Sequence, residues 1–468
     1  MTGQAIRFGT SGWRGVIAED FTFPGVRRAA VAIAGHLRAQ TKTPVVLIGY
    51  DRRFFSEDFA RTAAAVLEAN GCRVLLCREA TPTPTIAHAI IDRKLDGGVN
   101  ITASHNPAAY NGLKFSGPEG GPALPDVTRD IEKRAAGVRE VPASVDETEK
   151  RFEEIDPRKP YFDKLADLVR FDLLKRAKGS FVFDAVHGCG AGWLDGILAA
   201  HGIAATSIRT NRDVLFDGTG PDPSDENLAP LKKAVLDEKA SAGLATDGDA
   251  DRYGIIDRDG SFVSPNHILA LLFDYLLETR GIKLGASRSV ATTHLIDAVA
   301  KLHGVQVYET PVGFKYVGPL LRDNKIVIGG EESAGLTIRG HVPEKDGILA
   351  CLLVAEMIAA RQASIGEQLR DLFRRVGKEF WPIRVNLHLA EDVQANLPGR
   401  LRGDFKEFAG RPVAHMDRTD GLKLVFQDGA WVLMRPSGTE PVVRVYTEAA
   451  SPAESQELAE GARKWISE

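Results

Sequence analysis

The sequence predicts an α/β protein: three related mixed α/β domains followed by a C-terminal α+β domain with an antiparallel sheet, arranged around a central cleft. Three observations predict it. Short apolar strands alternate with helical stretches through the first two-thirds of the chain, the pattern of parallel α/β layers. Three of those strands empty into polar loops, and open α/β sheets place ligands at the carboxyl ends of their strands, so the loops could meet in one cleft. From Phe380 onward, alternating segments separated by turns replace the strand–helix rhythm.

In order, residues 44–49 (PVVLIG) read as a strand, followed by an amphipathic helix near 57–69, then strands at 73–77 and 97–102 (GGVNIT). The stretch 137–157 is charged and poor in apolar residues and reads as a linker. The pattern restarts at 180–184 (SFVFD) and runs through 242–246 (AGLAT). A third series has strands at 288–293, 305–309 and 325–330 (KIVIGG). Segments 423–426, 431–434 and 442–447 and a helix after Pro452 form the last domain. The expected boundaries are 1–145, 146–258, 259–375 and 376–468, which give the serine, aspartate, glutamate and arginine loops one domain each. The recurrence of GGVNIT before SHNP, AGLAT before DGDADR and KIVIGG before EESAG is a faint internal repeat.

A chain of 468 residues exceeds what one core usually organises, so two to four domains are expected. Hydrophobic residues at 44% and charged residues at 26% are ordinary for a soluble globular protein. A net charge of −4 supplies no global field for nucleic acid or an anionic membrane. An anionic ligand must then be held by local positive groups. The N-terminal segment lacks a charged region followed by an apolar stretch. The most apolar helix candidate, 268–277, is interrupted by Asp274 and too short to span a bilayer. Cys72, Cys77, Cys189 and Cys351 show no zinc or redox spacing and read as buried thiols. A cytoplasmic protein without nucleic-acid or membrane partners is the expectation; oligomeric state is not legible.

The densest chemical signal is Asp247-Gly-Asp249-Ala-Asp251-Arg252, directly after a strand. Three carboxylates at alternate positions repel one another unless a cation neutralises them, and hard oxygen ligands suit Mg2+ or Ca2+. An EF-hand is excluded, because its twelfth position needs Glu and here is Arg258. Ser104, in Thr102-Ala-Ser-His-Asn-Pro107, is the candidate nucleophile, although a lone serine in a polar loop also serves as a cap or turn residue. His105 can donate to a phosphate, and Lys114 follows in the next segment. No triad spacing or G-x-S-x-G elbow accompanies it, which argues against acyl-serine hydrolysis. A serine carrying phosphate beside a three-carboxylate metal site is chemically coherent.

Arg435-Pro-Ser437-Gly438-Thr439-Glu440, with Arg444 beyond, has the hydroxyls, amides and guanidinium of a phosphate cradle, or of a plain β-turn. It lacks a P-loop lysine. Glu331 and Ser333, in GGEESAG, offer acceptors for sugar hydroxyls. Arg14 and Lys345 add positive charge that surface salt bridges would explain equally well.

Together FGTSGWRG, TASHNPAAYNGLK, DGDADR, GGEESAG and RPSGTEP resemble the α-D-phosphohexomutase superfamily, from Phe8 into the last domain. The resemblance implies a four-domain, heart-shaped enzyme around a deep cleft. It implies that Ser104 is a phosphoserine and that Asp247, Asp249 and Asp251 hold one Mg2+ together with an oxygen of it. Arg252 would sit beside the phosphoryl site, with Lys114 as the proton-transfer group, its pKa lowered by Arg252 and the metal. Glu331 and Ser333 would bind the sugar, and Arg435, Ser437, Gly438, Thr439 and Arg444 its non-reacting phosphate. A hexose 1,6-bisphosphate would be intermediate and activator.

The segments around EESAG, Pro311–Lys315 and 341–347 (HVPEKDG) are similar to the phosphoglucomutase branch. Leu336 follows Ala334-Gly335 where the dual-specificity and phosphoglucosamine branches tend to carry histidine. Glucose phosphate is therefore the expected substrate, with phosphomannomutase or dual activity as the alternative. A metal-dependent phosphatase or a non-catalytic binding protein would be the reading from another class.

Overall fold

The computed structural model describes residues 5–9, 12–138, 152–176, 179–436 and 442–467. The chain forms two compact units: Met1–Val263 with Val317–Asn324 and Ser333–Ile365, and Ser264–Tyr316 with Lys325–Glu332 and Gly366–Glu468.

In the first unit, strand Val45–Tyr50 lies inside a six-stranded sheet, with Arg73–Cys77 and Gly97–Ile101 parallel on its two sides. Its successive residues face opposite layers. Val46 and Ile48 are buried with Ile33 and Val66 from helices Phe23–Arg38 and Ser56–Ala69. Leu47 is buried with Ile86 and Ile90 of helix Thr83–Asp92. Burial on both faces is why the strand reads as an unbroken apolar run. Strand Tyr110–Ser116 returns antiparallel beside Gly97–Ile101, setting Lys114 opposite Asn100, and Trp13–Val16 then sets Arg14 opposite Gly112.

The charged stretch 137–157 does not remain a linker to its end. Residues 139–151 lie outside the described residues, but Glu153–Ile155 forms a parallel edge strand on Arg73–Cys77. An edge strand needs few apolar anchors. Ile155 supplies one, while Glu153 pairs with Arg73 at 3.0 Å in solvent.

The second sheet of this unit runs Phe262–Val263, Tyr253–Asp257, Ala242–Thr246, Phe181–Asp184, Ala205–Ile208. Ala242–Thr246 is parallel to Phe181–Asp184, and the chain then reverses through residues 247–252 into antiparallel Tyr253–Asp257. The aspartate motif is thus a turn at the carboxyl end of a central strand. Leu231 and Val235 of helix Ala229–Glu238 pack on this sheet. Helix Gly347–Arg361 packs on it too, with the Cys351 thiol donating to the Ala245 carbonyl at 3.4 Å.

The second unit holds parallel strands in the order Val307–Thr310, Gly285–Ser289, Ile326–Glu331. The middle strand starts and ends earlier than the expected 288–293. Val290 and Ala291, which made that window look apolar, instead join a separate cluster with Trp431 and Tyr446. The C-terminal sheet is antiparallel, in the order Trp381–His388, Val442–Ala449, Trp431–Pro436, Leu422–Phe426, Arg411–Asp417, Glu407–Phe408. Leu458, Ala462 and Ile466 of helix Pro452–Ser467 pack with Leu424, Val432 and Val445 of that sheet. All four cysteines are buried free thiols. Among the described residues no single helix is long and apolar enough to cross a membrane.

Asp274, the acid that interrupts helix Pro265–Thr279, is fully buried. It accepts from both terminal nitrogens of Arg375 (2.8 and 2.7 Å) and lies 2.8 Å from His303 Nε2. Removing one partner of a buried pair costs about 3–5 kcal/mol, and the lower end applies because Arg375 is partly exposed. Asp274→Ala is therefore expected to lower the urea midpoint of the second unit by an amount equivalent to about 3 kcal/mol.

Candidate active site

Ser104 sits in the turn between strands Gly97–Ile101 and Tyr110–Ser116, 1% exposed and with φ 53°. Left-handed backbone is costly for a residue with a Cβ and persists only where the surroundings impose it. Part of that imposition is visible: the Ser104 amide donates to Thr102 Oγ1 at 2.8 Å. The hydroxyl donates to Asp247 Oδ2 at 2.7 Å, which joins the serine turn to the aspartate turn.

Asp247 and Asp249 are fully buried and Asp251 nearly so, and one oxygen from each lies within 4.8 Å of the others. Their contacts divide by oxygen. Asp249 Oδ2 accepts from Lys114 Nζ (2.5 Å) and Thr83 Oγ1 (2.5 Å). Asp251 Oδ2 is 2.9 Å from Lys114 Nζ and 3.1 Å from Lys345 Nζ. Asp249 Oδ1 and Asp251 Oδ1 are buried without a hydrogen-bond partner. Buried carboxylate oxygens are rarely left so. Orphaned hard oxygens from neighbouring carboxylates, with Ser104 Oγ alongside, fit a divalent cation such as Mg2+. Burial and the other two carboxylates push Asp247 well above the ordinary carboxyl range. Burial acts the same way on Asp251, but Lys114, Lys345 and Arg252 outweigh it and hold that group below the ordinary range.

Small residues make the approach of the two turns possible. A Cβ at Gly248 would meet the Ser104 carbonyl oxygen at 2.6 Å, and one at Gly335 would meet the Lys345 side chain at 2.2 Å. At Gly248 the two turns could not come as close with a larger residue, whereas at Gly335 it is the Lys345 side chain that would have to move.

The environment of Lys114 differs from the expected one. Its direct partners are Asp249 and Asp251, and against the desolvation that burial imposes these carboxylates raise its pKa. His105 goes the other way: burial, then Arg252 and Arg14, hold it well below its usual value, so the ring is neutral. His105 Nδ1 lies 3.3 Å from Ser104 Oγ, and the ring's tautomer decides which of the two donates. Arg14 donates to Asn106 Oδ1 at 2.6 Å, so it bears on the serine turn itself. The Arg252 amide donates to Asp247 Oδ1 at 3.0 Å. Ser104, His105, Lys114, Arg14, Asp247, Asp249, Asp251, Arg252 and Lys345 are thus gathered in the first unit. Ser333 is half-buried there too, beside Ala334, whose carbonyl accepts from the Tyr253 amide at 3.3 Å.

In the second unit Glu331 is buried at the end of its strand and accepts from the Gly313 amide at 2.6 Å. Glu332 accepts from Ser289 Oγ at 2.9 Å. Arg435 and Arg444 face each other across antiparallel strands, and Arg435 Nε donates to Asp420 Oδ1 at 2.8 Å. Like charges directly opposite are unfavourable, and an anion between the strand ends would relieve them. Ser437, Gly438 and Thr439 lie outside the described residues.

Sequence reading missed several contributors. Thr83 touches Asp249, and Asn100 Nδ2 donates to Thr83 Oγ1 at 2.7 Å. A polar residue inside the apolar run GGVNIT was the available signal. Asp51 and Arg53 follow strand Val45–Tyr50 at its carboxyl end, the position already used to find the other loops.

The chain is similar to known proteins along nearly its whole length. Residues 5–141, 159–260 and 264–376 match the phosphoglucomutase/phosphomannomutase alpha/beta/alpha domains I, II and III, and 385–464 match the C-terminal domain. A phosphoglucomutase/phosphomannomutase of Thermococcus kodakarensis is 32% identical over 98% of both chains. A probable phosphoglucosamine mutase of Methanopyrus kandleri is 31% identical over 96% of this chain and 95% of its own. The crystal structure of a putative phosphomannomutase from Thermus thermophilus superposes with a TM-score of 0.87, at 34% identity over 99% of each chain.

Gly248→Ala is expected to separate the serine and aspartate turns without unfolding the sheet. Calorimetric titration with Mg2+ should then give at least about tenfold weaker binding than the parent protein, a loss of about 1.4 kcal/mol, with an unchanged far-ultraviolet spectrum.

Proposed function

The chain belongs to the phosphoglucomutase/phosphomannomutase family of α-D-phosphohexomutases, and on that premise we propose that it interconverts hexose 1-phosphate and hexose 6-phosphate, glucose foremost, through a phosphoserine at Ser104 and a hexose 1,6-bisphosphate. The observation that carries the proposal is the 2.7 Å hydrogen bond from Ser104 Oγ to Asp247 within a buried three-carboxylate cluster. A hydroxyl held there is in place to carry a phosphoryl group beside a cation. Asp247, Asp249 and Asp251 would hold Mg2+ with an oxygen of the phosphoserine. When bound, it would draw charge from the transferring group.

The chain's own residues supply position and protons. The P–O bond to Ser104 Oγ breaks as a bond to the sugar hydroxyl oxygen forms. Lys114 Nζ gives a proton to Oγ and takes the one released by the hydroxyl, so the lysine ends as it began. A lysine that starts protonated suits this order of events. Arg14 and Arg252 bring positive charge toward the serine turn, and the neutral His105 ring lies 3.3 Å from Ser104 Oγ. The bisphosphate then turns over and returns its other phosphate to Ser104. Glu331 and Ser333 would bind sugar hydroxyls, Lys345 would add charge, and Arg435, Ser437, Gly438, Thr439 and Arg444 would hold the phosphate that is not reacting. Each α/β domain and the C-terminal domain would contribute one loop.

Glucose is favoured by Leu336 and by the surroundings of Pro311–Lys315 and 341–347. Mannose phosphate is the second reading, supported by the name of the Thermococcus relative. Kinetics on glucose 1-phosphate, mannose 1-phosphate and glucosamine 1-phosphate side by side should give the highest kcat/KM for glucose 1-phosphate. A higher value for either other sugar would reassign the substrate. With Mg2+ and glucose 1,6-bisphosphate the product should be the isomerised sugar phosphate; release of inorganic phosphate without it would make the protein a phosphatase. Ser104→Ala should lower kcat by at least about a thousandfold, equivalent to about 4 kcal/mol of transition-state stabilisation.

A further inference from the structure

One fully buried arginine has a peculiar set of partners. The Arg53 guanidinium, 0% exposed, donates from one terminal nitrogen to the carbonyls of Pro107 (2.8 Å) and Tyr110 (3.1 Å). The other terminal nitrogen donates to the carbonyls of Ser104 (2.6 Å) and Asn106 (2.5 Å). All four acceptors lie in 104–110, the turn that carries the serine. We infer that Arg53 is a positioning residue for phosphoryl transfer, a clamp that fixes the peptide planes of the serine turn and so aims Ser104 Oγ at the carboxylate cluster. This rests on the reading of Ser104 as the phosphoryl carrier.

The geometry gives the clamp its force. A peptide unit is planar, so fixing where its carbonyl points fixes the whole unit. Four units drawn to one cation leave the turn little freedom, and the left-handed φ of Ser104 is held against its intrinsic preference. The guanidinium is itself immobilised. Asp51 Oδ2 lies 3.2 Å from its Nε, and Asp51 also accepts from Ser56 Oγ and Thr102 Oγ1, each at 2.6 Å. Thr102 Oγ1 in turn accepts the Ser104 amide, so Asp51 reaches the serine by a second route. The Phe216 ring lies 5.1 Å from the guanidinium carbon, and Arg212 donates to the Arg53 carbonyl at 3.2 Å. A lysine would keep the charge but not the planar fork, and its three protons cannot serve four carbonyls.

Arg53→Lys tests this. Misplacing a reacting group by an ångström can cost about a hundredfold in rate, and kcat for glucose 1-phosphate should fall by about that factor while KM stays within about threefold. The 31P resonance of the phosphoserine should shift, which a general loss of stability in the folded fraction would not cause. A kcat within about twofold of the parent value, or a fall explained by the unfolded fraction alone with an unmoved resonance, overturns the inference. If Arg53→Lys yields no folded protein, Asp51→Asn decides on the same two readings, with about a tenfold fall in kcat expected and a parental kcat overturning it. Ser104→Ala separates the premises. Persistent turnover in that variant removes the nucleophile assignment, whereas a dead Ser104→Ala beside a normal Arg53→Lys removes only the clamp.

Discussion

Three carboxylates buried at the end of one strand constrain everything around them. Charges that share a dry interior repel strongly and lose their hydration, so such a cluster persists only with counter-charge close at hand. The fold delivers it from separate segments. Lys114 comes from a strand of the first sheet, and Lys345 from the turn before helix Gly347–Arg361. Two carboxylate oxygens still lack a hydrogen-bond partner after those lysines are placed. The chemistry of the site follows from that remainder, because hard, orphaned oxygens beside a serine hydroxyl suit a divalent cation and a phosphoryl group together.

Keeping the Ser104 hydroxyl in register with this cluster requires backbone that the chain would not adopt unaided. Ser104 and Ala250 both hold left-handed φ values, one in each turn. Gly248 lets those turns approach to a separation that a Cβ would forbid. The serine turn is tied forward to Asp247 and backward to Arg53, and the aspartate turn is tied to Thr83 by both side-chain and backbone hydrogen bonds. Phosphoryl transfer asks the protein mainly for position and charge neutralisation. Here contacts of both kinds locate groups, since the lysines that neutralise the carboxylates also place them and the arginine that binds the serine-turn carbonyls fixes that turn.

Much of this was legible in the sequence, for physical reasons. Strands buried on both faces are written as continuous apolar runs, so Val45–Tyr50 and Ala242–Thr246 were found close to their true limits. The aspartate motif was plain because alternating acids directly after such a run repel one another unless a cation joins them. Edge strand Glu153–Ile155 was missed because one apolar anchor leaves almost no pattern, and the 288–293 window misled because Val290 and Ala291 are buried by packing rather than by the sheet. The contacts of Lys114 were not legible for a different reason. Sequence places cations and acids in the same neighbourhood but does not say which touch, and the carboxylates won by contact. Arg53 left no local signal beyond its place at a strand's end, because its partners are carbonyl groups that every residue carries.

In the proposed reaction Ser104 carries the phosphoryl group between the two positions of the sugar. Incubating the purified protein with glucose 1,6-bisphosphate labelled with 32P at one phosphate, then mapping the labelled peptide and chasing with unlabelled glucose 1-phosphate, tests it most directly. Label is expected on the peptide containing Ser104, with quantitative transfer to sugar phosphate during the chase. Label on another residue, or a serine label that sugar phosphate does not discharge, would contradict it.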